Sequence, residues 1–561
     1  MLALHAPPRP GRARFDRSRL WLAIPLLLFA LPLLASLLLG LGGALDLAAW
    51  QRLRADTQFA PSLALSLWVG IASVLVSLGA TLWLVTHLHA TAPWRGVQRA
   101  LGGLLALPHA AFAIGLGLLL MPSGGPARVL ALAAGWSAPP DIATVQDRYG
   151  LALITGLVLK EVPFLLWNVI AQLQRAGQGA LLERQLQIGA SLGYGARSVW
   201  WRVLWPQLLP RLALPLLAVW AYSLSVVDMA LVLGPTRPPT LALLAWGWLL
   251  DADAAVNRQG GAAALSLTIL TAAGALAALL LWHALRPAWL RRSVRGDRAP
   301  SRGRDRAAGA VVVGAAGIYG AVIAALGFSS FVGVWTFPAL WPQAWSGEAW
   351  MLVARSLNAL GLTALLALAS AASATAIAVT WLESAPPHWD ARAALWVFAP
   401  MLVPGVLLVA GLYRLALWLG IDGSYTGLWL AHTLFTAPYA LVALAPSYRG
   451  YDLRYQQTAH ALGRTQAAFL WHIKWPMLIA PLAAAFAVAF AVSVTQYLST
   501  QFVGAGRHAT LTTEALTLAS GGQRSAVAAF ALLQAALPAL VFAAAVWVGR
   551  RSARRGGDAH A

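Results

Sequence analysis

The chain has 561 residues, of which 59% are hydrophobic and 11% are charged, and its mean hydropathy is +0.68. Soluble domains carry about 25% charged residues, so this balance excludes an ordinary soluble protein and indicates one that spans a membrane. The net charge of +21 comes from arginine runs between apolar stretches, a pattern that fits membrane orientation and not nucleic-acid binding, and the absence of cysteine excludes disulfides and thiol chemistry.

The first apolar run begins near Leu20, after five arginines, and extends to about Trp50. A secretory signal has an apolar core of roughly 7 to 15 residues, so this longer run predicts a retained membrane helix. A spanning helix needs about 20 mostly apolar residues. By this measure the chain is predicted to be an all-α polytopic membrane protein with two sets of six spans, at about 20–45, 61–88, 98–121, 150–172, 210–234, 262–285, 309–332, 352–382, 393–419, 426–446, 477–503 and 525–548.

The distribution of arginine predicts the orientation of these spans, because short cytoplasmic loops carry the excess of Lys and Arg. Both termini and residues 286–308 are rich in arginine and are expected to be cytoplasmic in a bacterial inner membrane. Residues 286–308 are also poor in apolar side chains and are interpreted as a flexible basic linker. The linker separates two halves, 1–285 with a core at about 60–285, and 309–561 with a core at about 350–548.

This orientation puts the segments after the fourth and tenth spans in the cytoplasm, and these two segments are similar to one another. The first reads ASLGYGARSVWWRVLWPQL from Ala190, and the second reads HALGRTQAAFLWHIKWPML from His460. Their glycines, Gly193 and Gly463, are 270 residues apart (463 minus 193). Because both halves have the same topology, the duplication predicts a parallel repeat about an axis along the membrane normal.

The loops 234–260 and 504–524 are expected to be external, and they repeat at the same offset. LGPTRPPTL and VGAGRHATL share Gly, Arg, Thr and Leu, and Arg237 and Arg507 are 270 apart (507 minus 237). These two arginines are candidates for an external gate or for contact with a solute receptor, and the alternative is a purely structural turn. The segment 122–149 has room for a short external helix.

Each cytoplasmic copy predicts a small amphipathic helical hairpin. Gly193 and Gly463 can take the positive φ that ends one helix and redirects the chain. In the helix that follows, apolar residues four apart would share one face and a proline would stop the helix: Val199, Val203 and Pro206 in the first copy, and Phe469, Ile473 and Pro476 in the second. The alternative is an interfacial loop anchored at headgroup depth by the tryptophans Trp200, Trp201, Trp471 and Trp475.

The spacing of thirteen residues between glycine and proline in both copies (206 minus 193, 476 minus 463) resembles a known signature. Binding-protein-dependent ABC importer permeases carry Glu-Ala-Ala-x-x-x-Gly, nine residues, then Ile-x-Leu-Pro, and here the copies read QIGASLG...VLWP and QTAHALG...IKWP. The chain looks like the fused members of that family, two permeases in one chain, related to iron(III) and thiamine importers and to a group of unassigned substrate. The departures are Gln for the signature Glu and Trp for the Leu before Pro, at Gln187, Gln457, Trp205 and Trp475.

The resemblance implies that the duplicated segments are coupling helices that dock into an ATPase subunit, present in two copies. It assigns ATPase coupling to Gln187, Gly189, Gly193, Val203 and Pro206 in the first copy and to Gln457, Ala459, Gly463, Ile473 and Pro476 in the second. It also implies a periplasmic solute-binding protein that delivers a small solute to the external face. The lipid bilayer is the remaining partner, and no cofactor is implied.

The sequence lacks the Gly-x-x-x-x-Gly-Lys-Ser/Thr phosphate loop, so ATP hydrolysis is expected on a separate subunit and the chain itself is not expected to be an enzyme. His87 and His89 are two residues apart without a third ligand nearby, so no metal site is predicted. A twelve-helix secondary transporter is the alternative, although it would not need duplicated docking segments. A membrane-embedded enzyme would need acidic or metal-binding residues clustered on one face.

Ionisable side chains within spans are rare because each costs about 2.5 to 3.5 kcal/mol to insert at a helix centre, and they are functional candidates for that reason. Lys160, Glu161 and Asp228 in the first half, and the polar Gln496 in the second, are candidates for the translocation path. The alternative is mutual neutralisation between helices without contact to solute.

Overall fold

The computed structural model describes residues 21–558, apart from positions 43, 90, 175–177, 295 and 297–305. The first half contains fifteen α-helices within that range: α1 (Ala23–Pro25), α2 (Leu31–Gly42), α3 (Leu47–Ala55), α4 (Phe59–Leu88), α5 (Ala92–Ala106), α6 (His109–Leu120), α7 (Gly125–Ala134), α8 (Leu151–Leu173), α9 (Gln178–Ser191), α10 (Ala196–Val199), α11 (Trp205–Leu208), α12 (Ala213–Ser225), α13 (Asp228–Leu233), α14 (Leu241–Leu249) and α15 (Ala254–Ser293). The helix α7 is the short helix for which the sequence left room.

The second half repeats this order with thirteen α-helices in its described residues: α16 (Arg306–Ser329), α17 (Glu348–Arg355), α18 (Leu357–Ser384), α19 (Asp390–Leu402), α20 (Gly405–Leu419), α21 (Tyr425–Arg449), α22 (Arg454–Ala461), α23 (Gln466–Phe469), α24 (Trp475–Met477), α25 (Ile479–Val494), α26 (Leu498–Val503), α27 (Leu511–Ser520) and α28 (Arg524–Asp558). The predicted offset is confirmed, because α10, α13, α14 and α15 begin 270 residues before α23, α26, α27 and α28 (466 minus 196 for the first pair). The structure is thus an all-α polytopic membrane protein built from two parallel repeats.

Ten helices in the described residues are long and apolar enough to cross a membrane, and the count is twelve when two bent pairs each form one span. One bent pair is α19 with α20, which meet at 97°, in the span predicted at 393–419. The break lies next to Pro404, and α5 and α6 break at the matching Pro108, where the sequence predicted one continuous span at 98–121. Proline removes a helical hydrogen bond, so these spans are interrupted within the membrane region.

The two halves are interlocked, because the amino-terminal span of each half packs against the other half. The span α2 lies along α20, where a Cβ on Gly411 would overlap the carbonyl oxygen of Ser36. The span α16 lies along α6, where a Cβ on Gly115 would lie 2.9 Å from the carbonyl oxygen of Val322. Small residues at such crossings let helix backbones approach closely in a membrane. The cores predicted at about 60–285 and 350–548 leave out these exchanged spans.

A second connection between the halves is made by Arg128 in α7. The Arg128 side chain is 2% exposed and donates hydrogen bonds to the carbonyls of Trp335, Thr336 and Ala339, at 2.7 to 3.0 Å. These carbonyls belong to the connection between α16 and α17. One guanidinium therefore joins α7 of the first half to the loop between α16 and α17 of the second.

The predicted flexible linker is partly helical. Residues 286–293 continue α15 and residues 306–308 begin α16, while 297–305 lie outside the described residues. Trp289 in this continued part of the helix donates its indole hydrogen to the Trp201 carbonyl at 2.8 Å. We call the side of the protein where α15 ends and α16 begins the linker side, and the other the opposite side.

Candidate functional site

Two helical hairpins lie on the linker side. The first hairpin comprises residues 178–208, from α9 to α11, and the second hairpin comprises residues 454–477, from α22 to α24. Each reverses at the predicted glycine, with φ of +81° at Gly193 and +75° at Gly463. The expected left-handed turn is therefore confirmed in both copies, and glycine adopts it without the strain that a Cβ would introduce.

The residue four positions before each turn glycine is part of the same closing motif. The amide after the glycine donates to its carbonyl, from Tyr194 to Gly189 at 2.9 Å and from Arg464 to Ala459 at 3.0 Å. This is the hydrogen-bond pattern of a Schellman helix end. A Cβ on Gly189 would overlap the Val199 side chain, so a glycine lets the two helices of the first hairpin meet.

The second helix of the first hairpin contains a π-turn, Trp200–Leu204, which changes the residues that it buries. In a π-turn, backbone hydrogen bonds join residues five apart. The next residue after Val199 on the packed face is therefore Leu204. Leu204 is fully buried, whereas Val203 is 36% exposed. The prediction that Val199 and Val203 share a face is wrong, because it assumed the spacing of an α-helix.

The second hairpin has the same π-turn at Leu470–Lys474. Phe469 is fully buried and the residue five positions later is Lys474, which is 7% exposed, while Ile473 is only partly buried. The predicted pairing of Phe469 with Ile473 is wrong for the same reason. A lysine therefore occupies the position that Leu204 holds in the first hairpin.

The prediction that a proline stops each helix is wrong for Pro206 and is confirmed for Pro476. Pro206 does not stop its helix, since residues 196–225 form one candidate span. In π spacing the Trp201 carbonyl would accept a hydrogen bond from the N–H of residue 206, which proline lacks. This carbonyl instead accepts the Trp289 indole hydrogen at 2.8 Å. In the second hairpin the helix ends at Met477, one residue after Pro476, and α25 leaves at 76°.

An apolar residue is exposed at the tip of each hairpin, immediately before the turn glycine. Leu192 is 55% exposed and Leu462 is 77% exposed. The predicted site residues Gln187 and Gln457 are exposed on the same helices. These leucines were not predicted as site residues, although both belong to the Leu-Gly pair that the two copies share.

Aromatic packing and a neutral hydrogen bond hold the first hairpin against the end of α4. Trp200 and Trp205 are 1% and 0% exposed, with ring centroids 5.1 Å apart, and His89 packs 5.1 Å from Trp200. The Trp205 indole donates to the Thr86 hydroxyl at 2.9 Å. Burial lowers the pKa of His89, although the Glu183 carboxylate acts in the opposite direction. Trp200 is thus a core residue, and the interfacial-anchor interpretation remains only for exposed tryptophans such as Trp471.

An ion pair holds the second hairpin against the end of α18. The Lys474 Nζ lies 2.6 Å from Glu383 Oε2, and their side chains are 9% and 21% exposed. Glu383 also accepts hydrogen bonds from the Tyr448 hydroxyl at 2.8 Å and from the Gln466 amide at 3.0 Å. The position of Lys474 is therefore fixed by charge, whereas the equivalent Leu204 is fixed by apolar packing.

Neither histidine near the end of α4 belongs to a recognisable metal site. The His87 Nδ1 lies 2.7 Å from the Trp83 carbonyl, and His89 is packed between aromatic rings. Within the residues that the structure describes, no group of three or more His, Cys, Asp or Glu side chains could hold a metal ion.

Lys160 is bound to the end of a helix. Its side chain is 3% exposed, and Nζ donates to the carbonyls of Leu104 at 3.1 Å and Leu107 at 2.7 Å, where α5 ends. The carboxyl end of a helix carries partial negative charge, which stabilises a cation there. This arrangement places the Lys160 ammonium at the break between α5 and α6.

The other three polar candidates lie in α8 or at breaks in spans. Glu161 is 5% exposed within α8. Asp228 begins α13 directly after the break from α12, and the Tyr222 hydroxyl faces it. Gln496 lies in the equivalent break between α25 and α26 and accepts a hydrogen bond from the Ser499 hydroxyl at 2.9 Å. Asp228 and Gln496 therefore lie at the matching break of each half.

The arginines Arg237 and Arg507 are both exposed on the opposite side, in loops that lead into α14 and α27. The first amide of each helix donates to a hydroxyl of a neighbouring span, from Leu241 to Ser66 at 2.8 Å and from Leu511 to Thr363 at 2.9 Å. The shared Thr-Leu of the two loops thus marks an equivalent helix start in each half.

Comparison with known proteins decides the family. The chain is 35% identical over 530 residues to the inner membrane ABC transporter permease protein YnjC of Escherichia coli K12, a match that covers 92% of this chain and 94% of that protein. This chain belongs to the ABC transporter permease family. No protein-family model matches it.

This permease is also similar in part to shorter permeases. It is 25% identical over 141 residues to the spermidine/putrescine transport system permease protein PotC of Haemophilus influenzae, covering 25% of this chain and 55% of that protein. It is 28% identical over 195 residues to the putrescine transport system permease protein PotI of Escherichia coli K12, covering 32% and 67%. These matches support a multi-pass inner-membrane permease and not a secondary transporter. The related proteins are permease components, which are not themselves enzymes.

Proposed function

We propose that this permease forms the whole translocation pathway of an importer and that its two hairpins are the docking sites for the ATPase. The observation that carries the proposal is the duplicated hairpin. Both copies turn at a left-handed glycine and expose a leucine next to it, and both lie on the linker side. The first hairpin also exposes Ile188 and the second Trp471, at 58% and 66%, and an apolar patch of this kind favours contact with another protein.

Two similar hairpins favour an ATPase dimer of two identical subunits, one bound to each hairpin. When ATP draws the two subunits together, the hairpins would move with them and the two halves would rock relative to one another. The solute would pass between the halves, where Glu161, Asp228 and Gln496 are polar groups available from both. Lys160 would position the break in the span that precedes them.

An importer requires the linker side to be cytoplasmic, because ATP is available there. The chain contains no cysteine, so single cysteines introduced at Leu192 and at Arg237 can be labelled without interference. We expect a membrane-impermeant thiol reagent added to intact spheroplasts to label Arg237→Cys and to reach Leu192→Cys only after permeabilisation. Topology reporters fused at residues 300 and 555 should be cytoplasmic and one near residue 245 external. An external reporter at residue 300 would contradict the orientation and the docking sites with it.

We further propose that Arg237 and Arg507 contact the solute-binding protein that delivers solute to the opposite side. Arg507 packs over Gly423, where a Cβ would lie 2.9 Å from its Nη1, so it borders the loop between α20 and α21. Reversing both charges, Arg237→Glu with Arg507→Glu, is expected to reduce the ATP hydrolysis that the loaded binding protein stimulates, since complementary charges guide such encounters. An equal loss of unstimulated hydrolysis would favour a purely structural turn.

A further inference from the structure

We propose that Glu383 and Lys474 form a positioning pair that carries the movement of the second hairpin into the membrane spans, and that the two hairpins are therefore mechanically unequal. The first hairpin has no charge at the corresponding position, since Leu204 stands 270 residues before Lys474 (474 minus 204). This inference rests on the proposed function, because it requires that the hairpins receive the movement of the ATPase.

The Glu383 carboxylate accepts hydrogen bonds from residues of three elements on the linker side. Lys474 in the π-turn donates at 2.6 Å, Tyr448 at the end of α21 donates at 2.8 Å, and Gln466 at the start of α23 donates at 3.0 Å. Lys474 Nζ also lies 4.2 Å from the centroid of the Tyr448 ring, and the Trp475 indole donates to the Tyr448 hydroxyl at 3.3 Å. Charge-assisted hydrogen bonds are roughly twice as strong as neutral ones, and the shared carboxylate acceptor holds the three donors in one arrangement.

Next to Glu383, a second set of hydrogen bonds connects α18, α19 and α21 to one another. The Arg449 guanidinium at the end of α21 forms two hydrogen bonds of 2.8 Å with the Asp390 carboxylate at the start of α19. It also donates to the carbonyls of Leu382 at 2.9 Å and Ala385 at 3.0 Å, on either side of Glu383. A displacement of the second hairpin that moves Lys474 is thus passed to α18, α19 and α21 together.

At the position that corresponds to Lys474, the first hairpin is held by a different kind of contact. Leu204 is fully buried in an apolar cluster with Trp200 and Trp205, and the Trp205 indole donates to Thr86 near the end of α4. Apolar packing is not directional, so it permits small sliding that a charged hydrogen bond resists. The free energy that a buried ion pair gains from its attraction is largely cancelled by the cost of desolvating both charges. The pair still fixes the position of one helix relative to the other. The pair is therefore better suited to positioning than to stabilisation.

The inference is tested in the purified complex of this permease with its own ATPase, reconstituted into vesicles. The double variant Glu383→Gln with Lys474→Met removes both charges and leaves neither partner as an unpaired buried ion. We expect it to bind the ATPase as the wild type does, while the solute transported per ATP hydrolysed falls roughly 5- to 150-fold, the range of typical coupling between sites. The charge-exchanged variant, Glu383→Lys with Lys474→Glu, should recover part of that loss.

The matched control removes a charge from an exposed ion pair away from the hairpins. Arg258 lies 3.4 Å from Asp46 and is 51% exposed, so Arg258→Met should transport as the wild type does. Normal transport per ATP in the double variant of Glu383 and Lys474 would overturn the inference, and so would a loss of ATPase binding, which would make the pair part of the docking contact. A separate variant with charged residues at both hairpin tips tests the docking function itself. Normal ATPase binding to that variant would contradict the docking function, whatever the result for Glu383 and Lys474.

Discussion

The Gly463→Val variant is expected to insert into the membrane normally and to lose most of its transport. Gly463 has φ of +75°, and a Cβ at this position would meet no other atom within 4 Å, so the substitution changes the backbone preference and little else. A left-handed conformation costs an L-residue about 1 to 2 kcal/mol, and a β-branched one more. The hairpin should then reverse differently, and we expect ATPase binding to weaken by about tenfold.

Three further variants test whether the left-handed turn itself causes this loss. Asn tolerates the left-handed region, so Gly463→Asn should keep transport close to the wild-type rate. Trp471→Leu removes an exposed aromatic side chain but retains an apolar one, and it should transport normally unless the hairpin acts as a headgroup anchor. Gly193→Val should resemble Gly463→Val. If both valine variants assembled with the ATPase and transported normally, the coupling assignment would be wrong.

A second large effect is expected at the hairpin tips. Replacing Leu192 and Leu462 together with Asp should abolish association with the ATPase in a co-purification experiment. Burial of a leucine side chain contributes about 1.5 to 3 kcal/mol, and a carboxylate in the same apolar socket would add a desolvation cost. The membrane core should stay folded, because both side chains are exposed on the linker side.

The single substitutions and one distant variant complete this test. Each single variant should retain one docked hairpin and bind the ATPase with an intermediate affinity. Trp418 is 80% exposed where α20 ends, on the opposite side, so Trp418→Asp should not affect co-purification. Undiminished ATPase recovery with the double variant would show that the tips are not the contact.

Much of this architecture could be predicted from the sequence, because the features that specify it are local. Apolar runs long enough to span a bilayer predicted the helices, and the offset of 270 between Gly193 and Gly463 predicted the repeat. The positive φ of both glycines followed from the needs of a tight helix reversal, and the structure has it at both. These signals depend only on residues near one another in the chain.

The remaining features leave no recognisable pattern among neighbouring residues of the sequence. The π-turn that exposes Val203 and buries Leu204 cannot be recognised from the spacing of apolar residues. A helix with one added residue gives the same spacing as an imperfectly amphipathic α-helix. The exchange of α2 and α16 between halves depends on close approaches such as that of Gly411 to Ser36. The partner of Lys474 is Glu383, 91 positions earlier in the chain, so no local pattern could identify it. The exchanged spans and the Glu383–Lys474 pair are tertiary arrangements, which a local pattern does not record.

The central claim is that both hairpins contact the ATPase, and site-directed cross-linking tests it most directly. The chain contains no cysteine, so Leu192→Cys and Leu462→Cys each supply a unique thiol at a hairpin tip. With a short thiol-directed photocross-linker in the assembled complex, both positions should form a covalent product with the ATPase subunit, whereas Trp418→Cys should form none. An active complex in which neither Leu192→Cys nor Leu462→Cys cross-links to the ATPase would contradict the docking assignment.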